Sequence, residues 1–488
     1  MDPFGGFGPF YLRQRAIKNL TKRIVVFNMY VLYLNGRTFP MAISLLESRI
    51  FKDMFGTQRM RTVFDDEATV RRYVEIEVAL AKVQGELGII PKEAAAAIAA
   101  RADASKIDYE RLKTEAEIVG YPILGLVHQL SEICGPEGEY LHWGATTQDI
   151  MDTATVLQIR EALEIVEGDL DALDAILDQM AQTYRDTPMA GRTHLQHALP
   201  ITFGYKAGIW LLMVRRHRER LQQMRPRVLV GQLGGAAGTL ASLGEDGLAI
   251  SEALMKELGL ASSPISWHVA RDGLAEAIQF LGLVTGSLGK MALDIMIMMS
   301  NEYAEVFEPF VKGRGASSTM PQKRNPISCE IIWYASKVVR QQAGLALDAM
   351  VQDFERSTGP WQLEWSAIPE SFVLTSGALE QAKFMLAGLE VDASRMRRNL
   401  DISAGLIVAE AVMMGLAAHV GRQTAHDIVY DACRIAAESH RPLADVLCED
   451  PKVSNQLDRE TVHKLCDPAN YLGSAPQMVD RVRAFQKN

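Results

Sequence analysis

The sequence predicts an all-α protein organised around an elongated bundle of long helices, and two observations carry that expectation. Proline inside a helix removes a hydrogen bond and clashes with the preceding turn. It is missing between Pro136 and Pro188, Pro264 and Pro309, Pro326 and Pro360, and Pro369 and Pro442. Each gap is filled with apolar residues at spacings of three and four, while the alternation that marks strands is scarce.

Residues 1–40 stand apart. A Gly/Phe start leads to a basic stretch (Arg13, Arg15, Lys18, Lys22, Arg23) and then the apolar run IVVFNMYVLYL. That run is shorter than the ~20 residues a bilayer requires. It has the look of a signal-peptide core, but the following NGRTFP offers no small-x-small cleavage site. We expect a leader of uncertain status, outside the fold, with Met41 as a natural start. A smaller helical domain is expected over 41–148, the long-helix bundle over 149–398 and a second small helical domain over 399–488.

Within the bundle, residues 153–186 place Val156, Ile159, Leu163, Val166, Leu170, Leu173, Leu177 and Met180 on one face. The stretch 274–307 is apolar on nearly every side around DIMIMM, as suits a helix enclosed by others. Such a helix calls for partner chains, so a homo-oligomer is expected.

Composition narrows the function classes. With 488 residues, 48% hydrophobic and 23% charged, the chain is of globular type, and its net charge of −9 argues against nucleic acid as a partner. No membrane partner is expected either. The five cysteines (Cys134, Cys329, Cys433, Cys448, Cys466) lack CxxC spacing, which suits a reducing cytoplasm rather than a disulfide framework or thiolate metal site.

Three polar islands interrupt the pattern, each near an expected helix end. In HWGATTQD (142–149), Thr146 and Thr147 place hydroxyls just ahead of a long helix, where free N–H groups suit a carboxylate; a plain N-cap is the competing reading. In GRTHLQHALP (191–200), His194 and His197 offer imidazoles that titrate near neutrality; spacing does not choose between them. Without HExxH or another ligand cluster, no metal is expected. In GRGASSTMPQKRNPISCE (313–330), Gly313 and Gly315 permit a hinge and Pro321 and Pro326 stiffen the far side. This loop carries Ser317, Ser318, Lys323, Arg324 and Asn325, with Glu330 where the next helix begins; it lacks P-loop spacing. Together the islands provide anion-binding hydroxyls, an imidazole and a closing loop with hydroxyl, ammonium and amide. Removing a proton from carbon beside a carboxylate drives negative charge onto that carboxylate, and Lys323 and Asn325 suit its neutralisation. A water-excluding loop that aims amides and cations at a serine oxygen would make that serine a base.

With these residues in view, the chain resembles the fumarase/aspartase superfamily, which includes argininosuccinate and adenylosuccinate lyases. GASSTMPQKRNP is similar to its signature loop, the other two islands follow in the family's order, and the similarity runs from about residue 45 to the C-terminus. The resemblance implies that Ser317 abstracts the α-proton, that His194 is the motif histidine and that Glu330 is the carboxylate paired with it. It places Thr146, Thr147, Thr193, Lys323 and Asn325 at carboxylate-binding positions. His142 matches a site histidine of adenylosuccinate lyase, and Arg356 in DFERSTGPWQLEW a substrate-binding arginine. It further implies three helical domains, a homotetramer whose active sites draw their motifs from different subunits, a small polycarboxylate substrate and no cofactor.

Within the superfamily, GRTHLQHALPITFG, LGGAAGTLASLG, EVDASRMRRNLD and CDPANYLG are most similar to the 3-carboxy-cis,cis-muconate cycloisomerases, which add a carboxylate oxygen across a double bond. One position departs, since those enzymes carry Trp where this chain has His194, as in the C–N and C–O lyases. GEYLHWGATTQDIMDTATVLQIRE is also similar to trans-aconitate decarboxylases, which lack that histidine too. Adenylosuccinate lyase shares His142 and His194, yet no phosphate-binding signature accompanies them here. A non-catalytic helical assembly is the contrasting reading, against which the intact loop stands.

Overall fold

The computed structural model describes residues 44–485, so the expectation for residues 1–40 lies outside the described residues. The chain is almost wholly helical. Five long helices build the centre: α2 (Thr147–Thr183), α3 (Phe203–Val228), α4 (Asp272–Met299), α5 (Ile327–Ala349) and α6 (Pro360–Ala387). Ahead of them, α1 (Asp66–Glu86) leads a set of shorter helices. Around the ring α2 packs on α3, α3 on α4, α4 on α5, α5 on α6 and α6 back on α2.

The expected face of α2 is the buried one. Val156, Ile159, Leu163, Val166, Leu170, Leu173, Leu177 and Met180 all lie in the core, alongside Trp210 and Phe203 of α3 and Phe372 of α6. The helix begins earlier than its apolar pattern, at Thr147, because Thr146 and Asp149 provide the start. Helix α4 also starts slightly early and stops at Met299 rather than near 307. One 18-residue window of α4 is apolar enough to cross a membrane, but half of it is buried in the chain. Leu283 and Leu293 remain 52% and 46% exposed, two leucines on the otherwise mixed outer face of α4 in a single chain.

Two features differ from expectation. Pro369 lies inside α6 rather than breaking it. Its neighbours Ala367, Ile368 and Phe372 are buried, and their packing outweighs the ~3 kcal/mol a helical proline costs. Residues 188–202 fold as an antiparallel hairpin of β1 (Pro188–Thr193) and β2 (Gln196–Thr202) instead of a simple helix end. A second small pairing joins β3 (Val306–Phe307) to β4 (Glu390–Val391). Near the C-terminus, α7 (Ala409–Val420) and α8 (Arg422–Ser439) share a separate small core with Leu443, Leu447, Val453 and Val462. The terminal helix Ala475–Ala484 returns to α3, with Val479 in the main core.

One buried ion cluster sets the alignment of the bundle. Arg271, immediately before α4, donates to both oxygens of Asp152 in α2 (2.7 and 2.8 Å) and both of Glu364 in α6 (2.9 and 2.5 Å). Trp361 Nε1 donates to Asp152 at 3.2 Å. A single guanidinium, just ahead of α4, therefore ties the second turns of α2 and α6 to the start of α4 at one end of the bundle. Burial raises the Glu364 carboxyl pKa even though Arg271 pulls it down.

Removing one partner of such a cluster leaves buried charge uncompensated, at about 3–5 kcal/mol. Arg271→Met is expected to lower the unfolding free energy by that order in urea titration; an unchanged midpoint contradicts the role given to the cluster.

Candidate active site

The first island forms the start of α2. Thr146 is its N-cap in an extended conformation, and Thr147 is the first helical residue. The N-cap expected from sequence is therefore real: Thr146 N–H donates to Asp149 Oδ2 at 3.0 Å. Asp149 also accepts from the N–H groups of Gly234 (2.8 Å) and Gly235 (2.9 Å), drawing the segment LGGAAG against the helix start. Arg356 reaches the same place, donating to Gln148 Oε1 (3.3 Å) and Ala236 O (2.9 Å). Thr146, Thr147 and Arg356 are thus gathered within one chain.

His142 sits one turn earlier, at φ 57°. Its N–H donates to Glu77 Oε2 at 3.1 Å, and its Nδ1 lies 2.6 Å from Oε1 of the same fully buried carboxylate. Burial disfavours charge on the ring, but Glu77, with Asp149, outweighs it and raises the His142 pKa. Glu77, 65 positions upstream, carries no sequence signal that marks it as this partner.

The second island is the β1–β2 turn. Thr193 pairs with Gln196, leaving His194 and Leu195 as a two-residue loop at φ 52° and 62°. Such turns favour Asn-Gly, and the lack of that signal hid the hairpin from sequence reading. Its root is fixed: Arg192 donates twice to Glu305 (2.9 and 2.6 Å), and Asn399 Nδ2 donates to Glu305 Oε1 at 2.8 Å. Thr193 and His194 at the tip are exposed. His197 lies back on β2, half-buried, and burial followed by the Arg192 charge lowers its pKa.

The third island is a loop closed at its neck. Ala316 pairs with Arg324, and Asn325 N–H donates to Gly315 O at 3.0 Å. Arg324 bonds Glu390 and the Glu308 carbonyl; Arg314 bonds Ser328 and Gln381 and lies over Phe384. The Glu308 carboxylate caps α5 by accepting from Ser328 N (3.1 Å) and Cys329 N (2.9 Å). Of these anchors, Glu308, Gln381, Phe384 and Glu390 lie outside the 313–330 segment and carry no sequence signal that links them to the loop. Above the neck, Ser317 Oγ accepts from the N–H groups of Thr319 (3.2 Å) and Met320 (3.0 Å). Lys323 is exposed, Asn325 half-buried, and Glu330 exposed on the first turn of α5.

The islands occupy opposite ends of the bundle. Helix α2 has 37 residues and so holds its ends about 55 Å apart. The chain from Tyr184 to His194, fully extended, covers at most about 40 Å, so it cannot return the imidazole to Thr147. The Arg192–Glu305 pair keeps the hairpin beside the stretch that leads into the Ser317 loop. That loop is anchored on Gln381 and Phe384, at the end of α6 remote from Glu364. Among the described residues no hydrogen bond or ion pair joins any of the three islands to another, and His194 and Glu330 do not meet within one chain. No group of three or more His, Cys, Asp or Glu residues among the described residues is arranged to hold a metal ion.

A helical bundle with these three polar segments defines a lyase. A family model described as "Lyase" matches residues 52–340, and one described as "Adenylosuccinate lyase C-terminus" matches 405–482. The chain belongs to this family and is an enzyme of the fumarase/aspartase superfamily. It is 51% identical to trans-aconitate decarboxylase 1 of Mycosarcoma maydis over 88% of this chain and 87% of the relative. It is 44% identical to the 3-carboxy-cis,cis-muconate cycloisomerase of Pseudomonas aeruginosa, covering 90% of this chain and 96% of that one. Among solved structures, fumarate lyase from Mesorhizobium sp. BNC1 superposes with a TM-score of 0.84 at 54% identity, over 88% of this chain and 99% of that one.

Two predictions follow from this geometry. Gly315 has φ 68°, and a Cβ there would stand 2.6 Å from the Asn325 carbonyl oxygen. Gly315→Ala is therefore expected to reduce kcat/KM about 100-fold by displacing the loop, on the scale of a 1 Å misplacement, with little change in thermal midpoint; near-normal kcat/KM contradicts this. The second concerns His142. A group with a raised folded-state pKa contributes stability in full below its unfolded value, about 6.5, and loses it as pH rises through the folded value. The thermal midpoint of wild type relative to His142→Gln is expected to be highest near pH 6 and to shrink towards pH 9, whereas a constant difference contradicts the Glu77 interaction.

Proposed function

We propose that the enzyme acts on a small unsaturated polycarboxylate by α-proton chemistry, with 3-carboxy-cis,cis-muconate as the leading substrate. The observation that carries this reading is the Ser317 oxygen, which accepts two backbone N–H bonds on a glycine-hinged loop. Donors aimed at a hydroxyl oxygen stabilise its alkoxide, and closure of the loop brings Lys323 near and removes water. In the elimination direction Ser317 takes the proton from the carbon α to a carboxylate. The electron pair moves into that carboxylate as an aci-form, which Lys323 and Asn325 neutralise. Collapse of the aci-carboxylate expels the oxygen on the β-carbon and forms the double bond. Lactonisation is the same path reversed: a carboxylate oxygen adds to the β-carbon and Ser317 returns the proton to the α-carbon.

Thr146, Thr147, Thr193, His142 and Arg356 bind the substrate carboxylates in this reading. His194, paired with Glu330 of another copy, serves the leaving or entering oxygen. Because α2 separates the first two islands, the reading requires a homo-oligomer, taken here as a tetramer whose sites combine segments of different subunits. The exposed Leu283 and Leu293 on α4 suit that assembly. Five free cysteines suit the cytoplasm. A second reading, decarboxylation of trans-aconitate, is favoured by the 51% identity to the decarboxylase. There the electron pair left as CO2 departs moves through the double bond into the conjugated carboxylate, which the same donors hold, and a proton then adds to the carbon beside that carboxylate.

Purified protein offered 3-carboxy-cis,cis-muconate, trans-aconitate, adenylosuccinate, and fumarate with ammonia separates these readings by ultraviolet absorbance. Loss of the muconate signal is expected; turnover of trans-aconitate selects the second reading, and turnover of adenylosuccinate alone contradicts both. Ser317→Ala is expected to lose at least about 100-fold in activity, the scale of one positioned acid–base group, with the oligomer intact. Unchanged turnover removes Ser317 from its role.

A further inference from the structure

The segment LGGAAG (233–238) has no part in the chemistry above, yet it is laced to the carboxylate-binding end of α2 through two buried side chains. Asp149 and His268 are each 1% exposed. Asp149 Oδ1 accepts from Gly234 N–H and from His268 Nε2, both at 2.8 Å, and Oδ2 accepts from Gly235 N–H at 2.9 Å and Thr146 N–H at 3.0 Å. Four donors fill one carboxylate. Because Asp149 faces these donors only as an acceptor, His268 Nε2 carries the proton, and the Ser266 hydroxyl 3.0 Å from Nδ1 fixes the ring.

The backbone of His268 continues the linkage. Its carbonyl accepts from Gln148 Nε2 at 2.9 Å, and Gln148 Oε1 in turn accepts from Arg356 Nη1 at 3.3 Å. Arg356 Nη2 donates to Ala236 O at 2.9 Å and Gly235 O at 3.4 Å, closing the circuit. Packing leaves no slack: a Cβ on Gly234 would lie 2.9 Å from both His268 Cε1 and Ser266 Oγ. One histidine thus holds the threonine turn through its side chain and the arginine through its main chain.

We propose that His268, acting through Asp149, is a positioning residue that sets the affinity of the Thr146–Thr147–Arg356 cradle for the substrate's carboxylate. This rests on the reading that the cradle binds substrate. A cradle for a carboxylate that does not react contributes equally to ground and transition states, so its loss appears in KM rather than kcat.

The test compares three variants on whichever substrate the wild type turns over, with thermal midpoint and oligomer size recorded. Gln can place its amide N–H where His268 Nε2 stands; Asn is too short. His268→Asn is expected to raise KM about tenfold, as for one lost positioned hydrogen bond, with kcat within about threefold. His268→Gln is expected to keep KM near the wild-type value. Thr147→Ala, expected to raise KM, tests the underlying reading: if it leaves KM unchanged, the cradle itself is misassigned and the inference falls with it. If Thr147→Ala raises KM while both His268 variants keep it, or both lower kcat alone, His268 is not a positioning residue and the cradle stands. Should His268→Asn fail to assemble, Ser266→Ala takes its place. It removes only the bond that orients the ring, so a rise in KM of about threefold supports the inference and no rise contradicts it.

Discussion

Arg271 fixes the geometry on which everything else rests. Held between Asp152 and Glu364, it fastens the starts of α2, α4 and α6 at one end of the bundle. The sequence just ahead of α2 and α6 is thereby placed at that end, and with it Thr146, Thr147 and Arg356. The same alignment sends the far end of α4 away, together with the strand and loop that lead to Ser317. A buried charge cluster of this kind is expensive to desolvate. Its position at the helix starts, beside the polar segments that meet substrate in the proposed reaction, gives that cost a structural return in a fixed cradle.

At the opposite end the device is different. The Ser317 loop is tied at its neck by Arg314, Arg324 and Glu308, while Ser317 to Lys323 lie above it with few bonds to the body of the protein. A firm neck and a light tip let a loop close without disturbing the helices it joins. The Ser317 oxygen already faces two N–H donors, so in the proposed chemistry closure has only to add cations and remove water. The hairpin beside it is built on the same plan, rigid at Arg192 and Glu305 and exposed at His194. Both tips are exposed and lie at the end of the bundle opposite the Thr146–Thr147 turn, so in the proposed reaction a single chain does not complete the site.

Most of the fold was legible in the sequence because long helices announce themselves by period and by missing prolines. All eight apolar positions singled out on α2 are buried. Pro369 misled as punctuation because local propensity says nothing of the packing that overrides it. The 188–202 hairpin was hidden since His194 and Leu195 adopt turn geometry without turn residues. The polar islands were legible as unusual composition, and Thr146 could be read as a cap with hydroxyls to spare. Their supports were not. Glu77, Glu308, Glu390 and His268 reach their partners from distant parts of the chain, and no spacing rule points to them. The separation of the first and second islands was legible too, because the helical pattern over 153–186 lies between them and a helix of that length holds its ends tens of ångströms apart.

The central claim is that the proposed site forms only between copies of the chain, with Ser317 from one and the Thr146–Thr147 turn from another. Subunit mixing tests it most directly. Ser317→Ala and the double variant Thr146→Ala/Thr147→Ala, each assayed alone at low substrate, should be nearly inactive. After the two are dissociated and reassembled together, some sites would combine an intact loop with an intact turn, and activity well above the sum of the separate variants is predicted. A mixture no more active than that sum, with mixed oligomers confirmed by mass, would contradict the account.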